Sequence, residues 1–423
     1  MVRFMHAAIL CFLLGGFRVY SQDSTALRVP AGCHSHEYML EQQSMHPGLA
    51  ERIEAESRKL SGYPGNARTA SPDFSTNTIS VVFHVVYNTS AQNVPDGRLL
   101  EQLQVLNEDF NASNADIANV PSAFKPLIGN AGIRFCLAQR DPNDNPTSGI
   151  TRTYTADTLF SIDDAVKYDS TGGCSIWNRD RYLNIWVCKL MGPVLGYTAR
   201  PGSPASVDGA VIDYRYIGLS GSLAPYNLGH SVSHEIGHWF NLIHTWGDAN
   251  CGNDLVNDTP KQQGPNYGTS GNCPSFPHVT CSNAPNGDMW MNFMDFGYDH
   301  CACFFTAGQC ARMNAALNVN RPRLKSSNAC QPLAIKEETG ILGFSVYPNP
   351  AHENLNIDLS LLNTGNIQIN VYNALGVRVL NKGIESHREG VIVLDVNDIP
   401  GGMYFLELIT PHLTVNRKIQ VQK

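Results

Sequence analysis

The sequence predicts an α/β domain with a mixed, twisted sheet and one site-bearing helix, followed by a small all-β sandwich. Three observations carry this reading. Between residues 79 and 216, β-branched and aromatic runs alternate with helical periodicity, the order of an α/β fold. The run HEIGHWFNLIH, residues 234–244, places two histidines four apart on one helix face, with a glutamate beside the first. After Cys330 there is no further cysteine, and over 342–423 short β-rich runs alternate with turn residues.

Taken in order, Met1-Val2-Arg3, an apolar stretch from Ala7 to Phe17, and Val19-Tyr20-Ser21 before Gln22 have the layout of a secretory signal peptide over 1–21. No later stretch reaches spanning length, so no integral membrane segment is expected after signal removal. Residues 22–68 are polar, with one helical stretch over 37–60, and end in an exposed, cleavable loop at 62–68 that includes Arg68. The main domain then runs from 69 to 330. Its first strand is ISVVFHVVY at 79–87, β-branched enough to be buried. A helix at 99–110 follows, then strands at 133–138, 182–189, 195–200 and 210–216, and a helix that starts near Asn227. Residues 331–341 read as a linker, and 342–423 as the sandwich, with strands at 367–372, 391–394 and 404–409 and turn signals at Gly376, Pro400, Gly401 and Gly402.

At 423 residues and 43% hydrophobic the chain suits two or three cored domains. A net charge of −7 without a Lys/Arg-rich run excludes nucleic acid and anionic membrane as main partners.

The helix motif carries the chemistry. His234 and His238 reach one metal ion from one helix face, and His244 returns to it after a bend at Asn241, a residue type that tolerates left-handed backbone. Three imidazoles leave a fourth zinc position for water, whose pKa falls from about 16 toward about 7. Glu235 is placed to act as general base on that water. His230, one turn earlier, reads as a helix-start or core residue.

Of 12 cysteines, Cys11 leaves with the signal and Cys33 stands alone. The rest, between Cys136 and Cys330, read as up to five disulfides, six of the thiols falling in the Gly/Asn/Pro-rich stretch after the motif. A cysteine-bound structural zinc lacks CxxC spacing here.

These motifs resemble the metzincin metalloproteases, specifically the pappalysin family, over roughly residues 33–310. Asn241 stands where most metzincins have Gly. The resemblance implies a zinc endopeptidase acting on proteins or peptides, with His234, His238 and His244 as ligands and Glu235 as base. It implies a methionine turn at residues 291–296 with Met294 beneath the metal; Phe296 stands where the family usually has Tyr, and Tyr298 is a candidate substitute. It assigns Asp299 to the base of a pocket for the residue after the scissile bond, which favours Arg or Lys; a solvated loop Asp or a calcium ligand is the other reading. It implies the pairs Cys251–Cys281 and Cys273–Cys301, and a latency role for Cys33, whose thiolate takes the fourth zinc position until cleavage near Arg68; a disulfide to the main domain is the alternative. Asp254, Asn257, Asp258 and Thr259 fall in a loop that family members use for calcium, though turn chemistry explains them too. The last domain resembles the type A sorting domain of the type IX secretion system, through Tyr347-Pro348-Asn349-Pro350, Gly401-Gly402-Met403-Tyr404 and Lys418, which makes the export machinery a partner. A secreted or surface-attached location follows. The rival function is a zinc-containing surface binding or adhesion protein with weakened catalysis, motivated by Phe296 and the sandwich; retention of Glu235 with Cys33 favours the enzyme.

Overall fold

The computed structural model describes residues 32–61, 77–269, 271–331, 345–359, 365–373, 377–387, 390–410 and 413–423. The signal segment, the Arg68 loop and the linker beyond residue 331 lie outside the described residues. The chain divides into two compact units, 1–138 with 147–330, and 139–146 with 331–423.

The first unit contains β1 (Gly32–Cys33), α1 (Ser35–Met45), α2 (Leu49–Ser61), β2 (Asn77–Tyr87), α3 (Asp96–Phe110), β3 (Ile133–Leu137), β4 (Ile150–Tyr154), β5 (Leu183–Cys188), β6 (Val194–Thr198), β7 (Ala210–Asp213), α4 (His230–Trp239) and α5 (Ala307–Val319). The sheet order is β1-β6-β7-β5-β2-β3, with β4 also on β2. From β7 to β3 and β4 all pairings are parallel, and β6 runs antiparallel to β7, which makes the sheet mixed. Because side chains alternate along a strand, Val81, Phe83 and Val85 join one core with α3 and α4, while Val86 and Trp186 face a second core on the other side. The first core takes Leu99, Leu106 and Phe110 from α3 and Ile236 and Trp239 from α4. The second takes Tyr38, Met39, Leu49 and Ile53 from α1 and α2.

Several elements differ from the sequence reading for physical reasons. The helical stretch at 37–60 is two helices, broken where Gly48 takes φ +81° after Pro47. The site helix starts at His230 rather than near Asn227, because Gly229 adopts φ +79° and the Leu228 amide is held by the Asp299 carboxylate 2.7 Å away. The stretch at 210–216 is a four-residue strand followed by a 3₁₀ turn, in which Asp213 accepts from the Arg215 amide. β1 and β4 were not legible: β1 has two residues and exists by pairing with β6, and β4 (ITRTY) is half-exposed with no clean alternation. Three disulfides form among the described residues, Cys136–Cys330, Cys251–Cys281 and Cys273–Cys301. Three lie within the expected bound of up to five; Cys174, Cys188, Cys303 and Cys310 are free thiols, the last three buried as small apolar groups.

The second unit has β8 (Ser345–Tyr347), β9 (Asn354–Asp358), β10 (Gly365–Asn373), β11 (Arg378–His387), β12 (Val391–Asp395), β13 (Gly402–Thr410) and β14 (Leu413–Val421). They form two antiparallel sheets, β11-β10-β13-β14 and β12-β9-β8, around one apolar core that includes Leu355, Ile357, Ile369, Leu394 and Leu406. Asn349 ties the Tyr-Pro-Asn-Pro turn to β14, donating to the Lys418 carbonyl at 3.1 Å and accepting from the Gln420 amide at 2.8 Å. Tyr404 donates to the Pro400 carbonyl at 2.8 Å. Both motifs therefore have a folding role within this small domain.

Candidate metal centre and active site

α4 presents His234 and His238 on one face, and Asn241, at φ +70°, turns the chain so that His244 returns to them. The bend is held from α5: Arg312 donates to the Asn241 carbonyl and to its side-chain oxygen, each at 2.9 Å. His238 Nε2 lies 3.1 Å from both His234 Nε2 and His244 Nε2. Each ring is fixed through its other nitrogen. His234 Nδ1 donates to the Phe293 carbonyl at 2.6 Å, His238 Nδ1 to the Leu242 carbonyl at 3.0 Å, and His244 Nδ1 pairs with the Asp248 carboxylate. With the protons on Nδ1, three Nε2 lone pairs point at one another, and burial pushes the His234 and His238 pKa values down, against protonation. Such convergence is repulsive without a cation between the rings and suits a divalent ion that prefers imidazole. Cys33 Sγ belongs to the same cluster, all four donor atoms lying within 4.8 Å of one another. Burial first, and the neighbouring Glu235 second, push the Cys33 thiol well up, so a thiolate here requires that cation.

Glu235 is buried beside these donors. Its Oε2 accepts from the Thr198 hydroxyl at 2.7 Å and the Ser35 hydroxyl at 2.8 Å. Burial raises its pKa, and hydrogen bonds from Cys33, Thr198 and Ser35 oppose that rise. β6 passes close to it: a Cβ on Gly196 would lie 3.1 Å from Glu235 Cγ and 2.8 Å from the Val211 carbonyl.

The turn at residues 291–296 lies against α4. Met294 sits under Gly237, where a Cβ would come within 2.5 Å of its sulfur. The Met294 amide donates to the Asn292 side chain at 2.9 Å, and Asn292 is locked to Gln309 of α5. Phe296 packs against the histidine rings, its centroid 4.8 Å from His244 and 5.7 Å from His234. Tyr298 instead meets Tyr226 edge to face and stacks on His300. A tyrosine ring that does reach Phe296 is Tyr267, 5.9 Å away, on a loop that Asp295 holds by accepting from the Asn266 amide at 2.8 Å. Sequence reading missed Tyr267, whose placement depends on that long-range contact. It also missed Asp248, for which the four-residue spacing from His244 was an available signal.

Asp299 lines a cavity together with Tyr226, His230, Ser231, Phe293 and Glu235. It is 2% exposed, which corrects the solvated-loop alternative. Its carboxylate accepts from the Leu228 amide, and its carbonyl accepts from His230 Nδ1 at 2.8 Å. Burial raises the Asp299 carboxyl pKa, with His230 the main opposing influence. Asp254 and Asp258 point to different partners. Asp254 accepts from Thr259 at 2.7 Å and from the Val256 amide at 3.1 Å, while Asp258 caps α5 through Thr306 and the Gly308 amide.

Residues 167–318 match the family model described as pregnancy-associated plasma protein-A, and residues 345–422 match a secretion system C-terminal sorting domain. An extracellular metalloprotease of Colletotrichum graminicola is 32% identical over 302 residues, which cover 69% of this chain and 90% of that one. The chain belongs to the pappalysin family of metalloproteases. This pappalysin is also similar to solved structures of mirolysin from Tannerella forsythia. The mature form in complex with a cleaved peptide is 48% identical with a TM-score of 0.58, covering 59% of this chain and 96% of that one. A promirolysin mutant is 43% identical with a TM-score of 0.63, covering 70% and 97%. The pappalysin is a metalloendopeptidase with a metzincin-like catalytic domain and a type IX sorting domain, secreted to the exterior or the cell surface. Among the described residues, no helix is long and apolar enough to cross a membrane.

Proposed function

We propose that the protein is a zinc endopeptidase made as a latent precursor, with His234, His238 and His244 as metal ligands and Glu235 as general base. The convergence of three Nε2 lone pairs on one point, 3.1 Å apart, carries this reading. Zinc, when bound, supplies Lewis acidity toward the peptide carbonyl and makes water a usable nucleophile near neutral pH. Glu235 accepts a proton as water attacks the carbonyl and passes it to the departing amine nitrogen. Thr198 holds the carboxylate for that task. With β1 removed, β6 has a free edge on which an extended substrate can add as a strand. Mature mirolysin was captured with a cleaved peptide, which supports peptide substrates here.

Latency rests on Cys33 closing the ligand set while β1 occupies that same edge of β6, Gly32 opposite Val194 and Cys33 opposite Gly196. The larger share of the chain matched by promirolysin supports it. Removal of 22–68 is the proposed activation step. Selectivity for Arg or Lys after the scissile bond follows from the buried Asp299 carboxylate in the cavity beside Glu235, since a guanidinium or ammonium there gains a desolvated partner. Calcium in the 254–259 loop is a further part of the reading: burial raises the Asp254 pKa to about 6, and a cation would relieve that burial.

The test is cleavage of a peptide library by the processed protein, beside Glu235→Ala and Asp299→Asn. Wild type should cut before Arg or Lys, Glu235→Ala should lose at least about a thousandfold in kcat, and Asp299→Asn should flatten the basic preference by roughly tenfold or more. Equal silence of processed wild type and Glu235→Ala overturns the enzyme reading in favour of a zinc-containing binding protein.

A further inference from the structure

Tyr38, in α1, is fully buried in a site built from the main domain, on the sheet face opposite Glu235. Its hydroxyl donates to Asp164 Oδ2 at 2.7 Å, and its ring lies 4.8 Å from that of Tyr197. Beneath it is Lys167, with no exposed surface. The Lys167 ammonium donates to the Val207 carbonyl at 2.7 Å and pairs with Asp164 Oδ1 at 2.8 Å. It also stands over three rings, 5.4 Å from Tyr38, 5.4 Å from Trp186 and 5.1 Å from Tyr197. A buried ammonium is tolerated only where counter-charge, acceptors and ring faces replace its water. Tyr38 supplies one of those rings, satisfies the second oxygen of Asp164 and closes the site to solvent.

None of these groups touches the ligand cluster, and Tyr197 points away from Glu235 because it neighbours Gly196 on a strand whose residues alternate between faces. We propose that Asp164, Lys167, Trp186 and Tyr197 form a binding site for a phenol side chain, and that through Tyr38 it holds the pro-segment independently of Cys33. The inference rests on the latency reading but assigns it a second anchor. A thiol lost to oxidation or substitution then leaves the pro-segment seated, and activation requires the chain to be cut and Tyr38 to leave its site.

The experiment uses the full secreted chain before processing, with a short fluorogenic peptide as substrate. The Cys33→Ser chain should retain most of its latency. The Cys33→Ser/Tyr38→Phe chain should be roughly tenfold to a hundredfold more active than Cys33→Ser, since one hydrogen bond to a buried carboxylate is lost while the ring remains. Tyr38 leaves with the pro-segment, so the processed Tyr38→Phe chain should match processed wild type, which separates anchoring from damage to the fold. In a Glu235→Ala background, hydrogen exchange over Ser35–Met45 should rise by a similar factor on Tyr38→Phe. The proposal is overturned by a Cys33→Ser chain already as active as the processed enzyme, or by a double variant no more active than Cys33→Ser. Inactive processed wild type would instead defeat the protease reading, and that control is in the same assay.

Discussion

Thr198 and Asn241 act through other residues, by contacts that are not legible in the sequence. Thr198 donates to Glu235 from a strand 37 positions earlier. A charged hydrogen bond of this kind contributes about 1.5–3 kcal/mol, so Thr198→Val in the processed enzyme should lower kcat roughly tenfold to a hundredfold. KM and zinc content should hold, and Thr198→Ser should recover most of the loss; steady-state kinetics on the pair decides, and equal rates for Val and Ser would remove Thr198 from the account. Asn241 was readable as a bend residue from its type and position after His238, but its support by Arg312 was not. Asn241→Ala replaces a residue type that tolerates φ +70° with one that does so poorly and removes the side-chain oxygen to which Arg312 donates, and should cost about 2 kcal/mol, read as a lower urea midpoint, with Asn241→Gly milder.

At the scale of elements, the buried strands were legible because β-branched runs such as that of β2 have few alternatives. The starts and breaks of helices were less so, since Gly48 and Asp299 decide them through backbone geometry and a contact 71 residues away. β2 carries a further consequence. His84 is buried between its neighbours, with Nδ1 2.8 Å from Thr151 of β4 and Nε2 2.9 Å from Asn184 of β5. Burial lowers its pKa to about 4. An unfolded chain protonates this histidine near pH 6.5 and the folded one does not, so its contribution is complete above about pH 6.5 and is lost as pH falls toward 4, about 3 kcal/mol in all. Urea unfolding at pH 7 and pH 4.5 should show a smaller drop in His84→Gln than in wild type; equal drops would assign the acid sensitivity to other groups.

For the whole molecule, the zinc motif, the isolated Cys33 ahead of the main domain and the sorting-domain turns declared the parts, because each is a local pattern with a narrow chemistry. What the sequence withheld is how the parts meet: α1 and α2 cover the sheet face opposite α4 while β1 reaches the histidine cluster, so one short segment engages both sides of the catalytic unit. Calcium, if it orders the 254–259 loop, should raise the melting temperature by several degrees in a chelator titration and leave zinc content unchanged. The central claim is that His234, His238, His244 and Cys33 hold one zinc ion in the secreted precursor. X-ray absorption at the zinc edge of the unprocessed chain tests it most directly. The account predicts three nitrogens and one sulfur at about 2.3 Å, with the sulfur lost as processing brings on activity; a precursor whose zinc shows no sulfur neighbour, or no stoichiometric zinc at all, contradicts it.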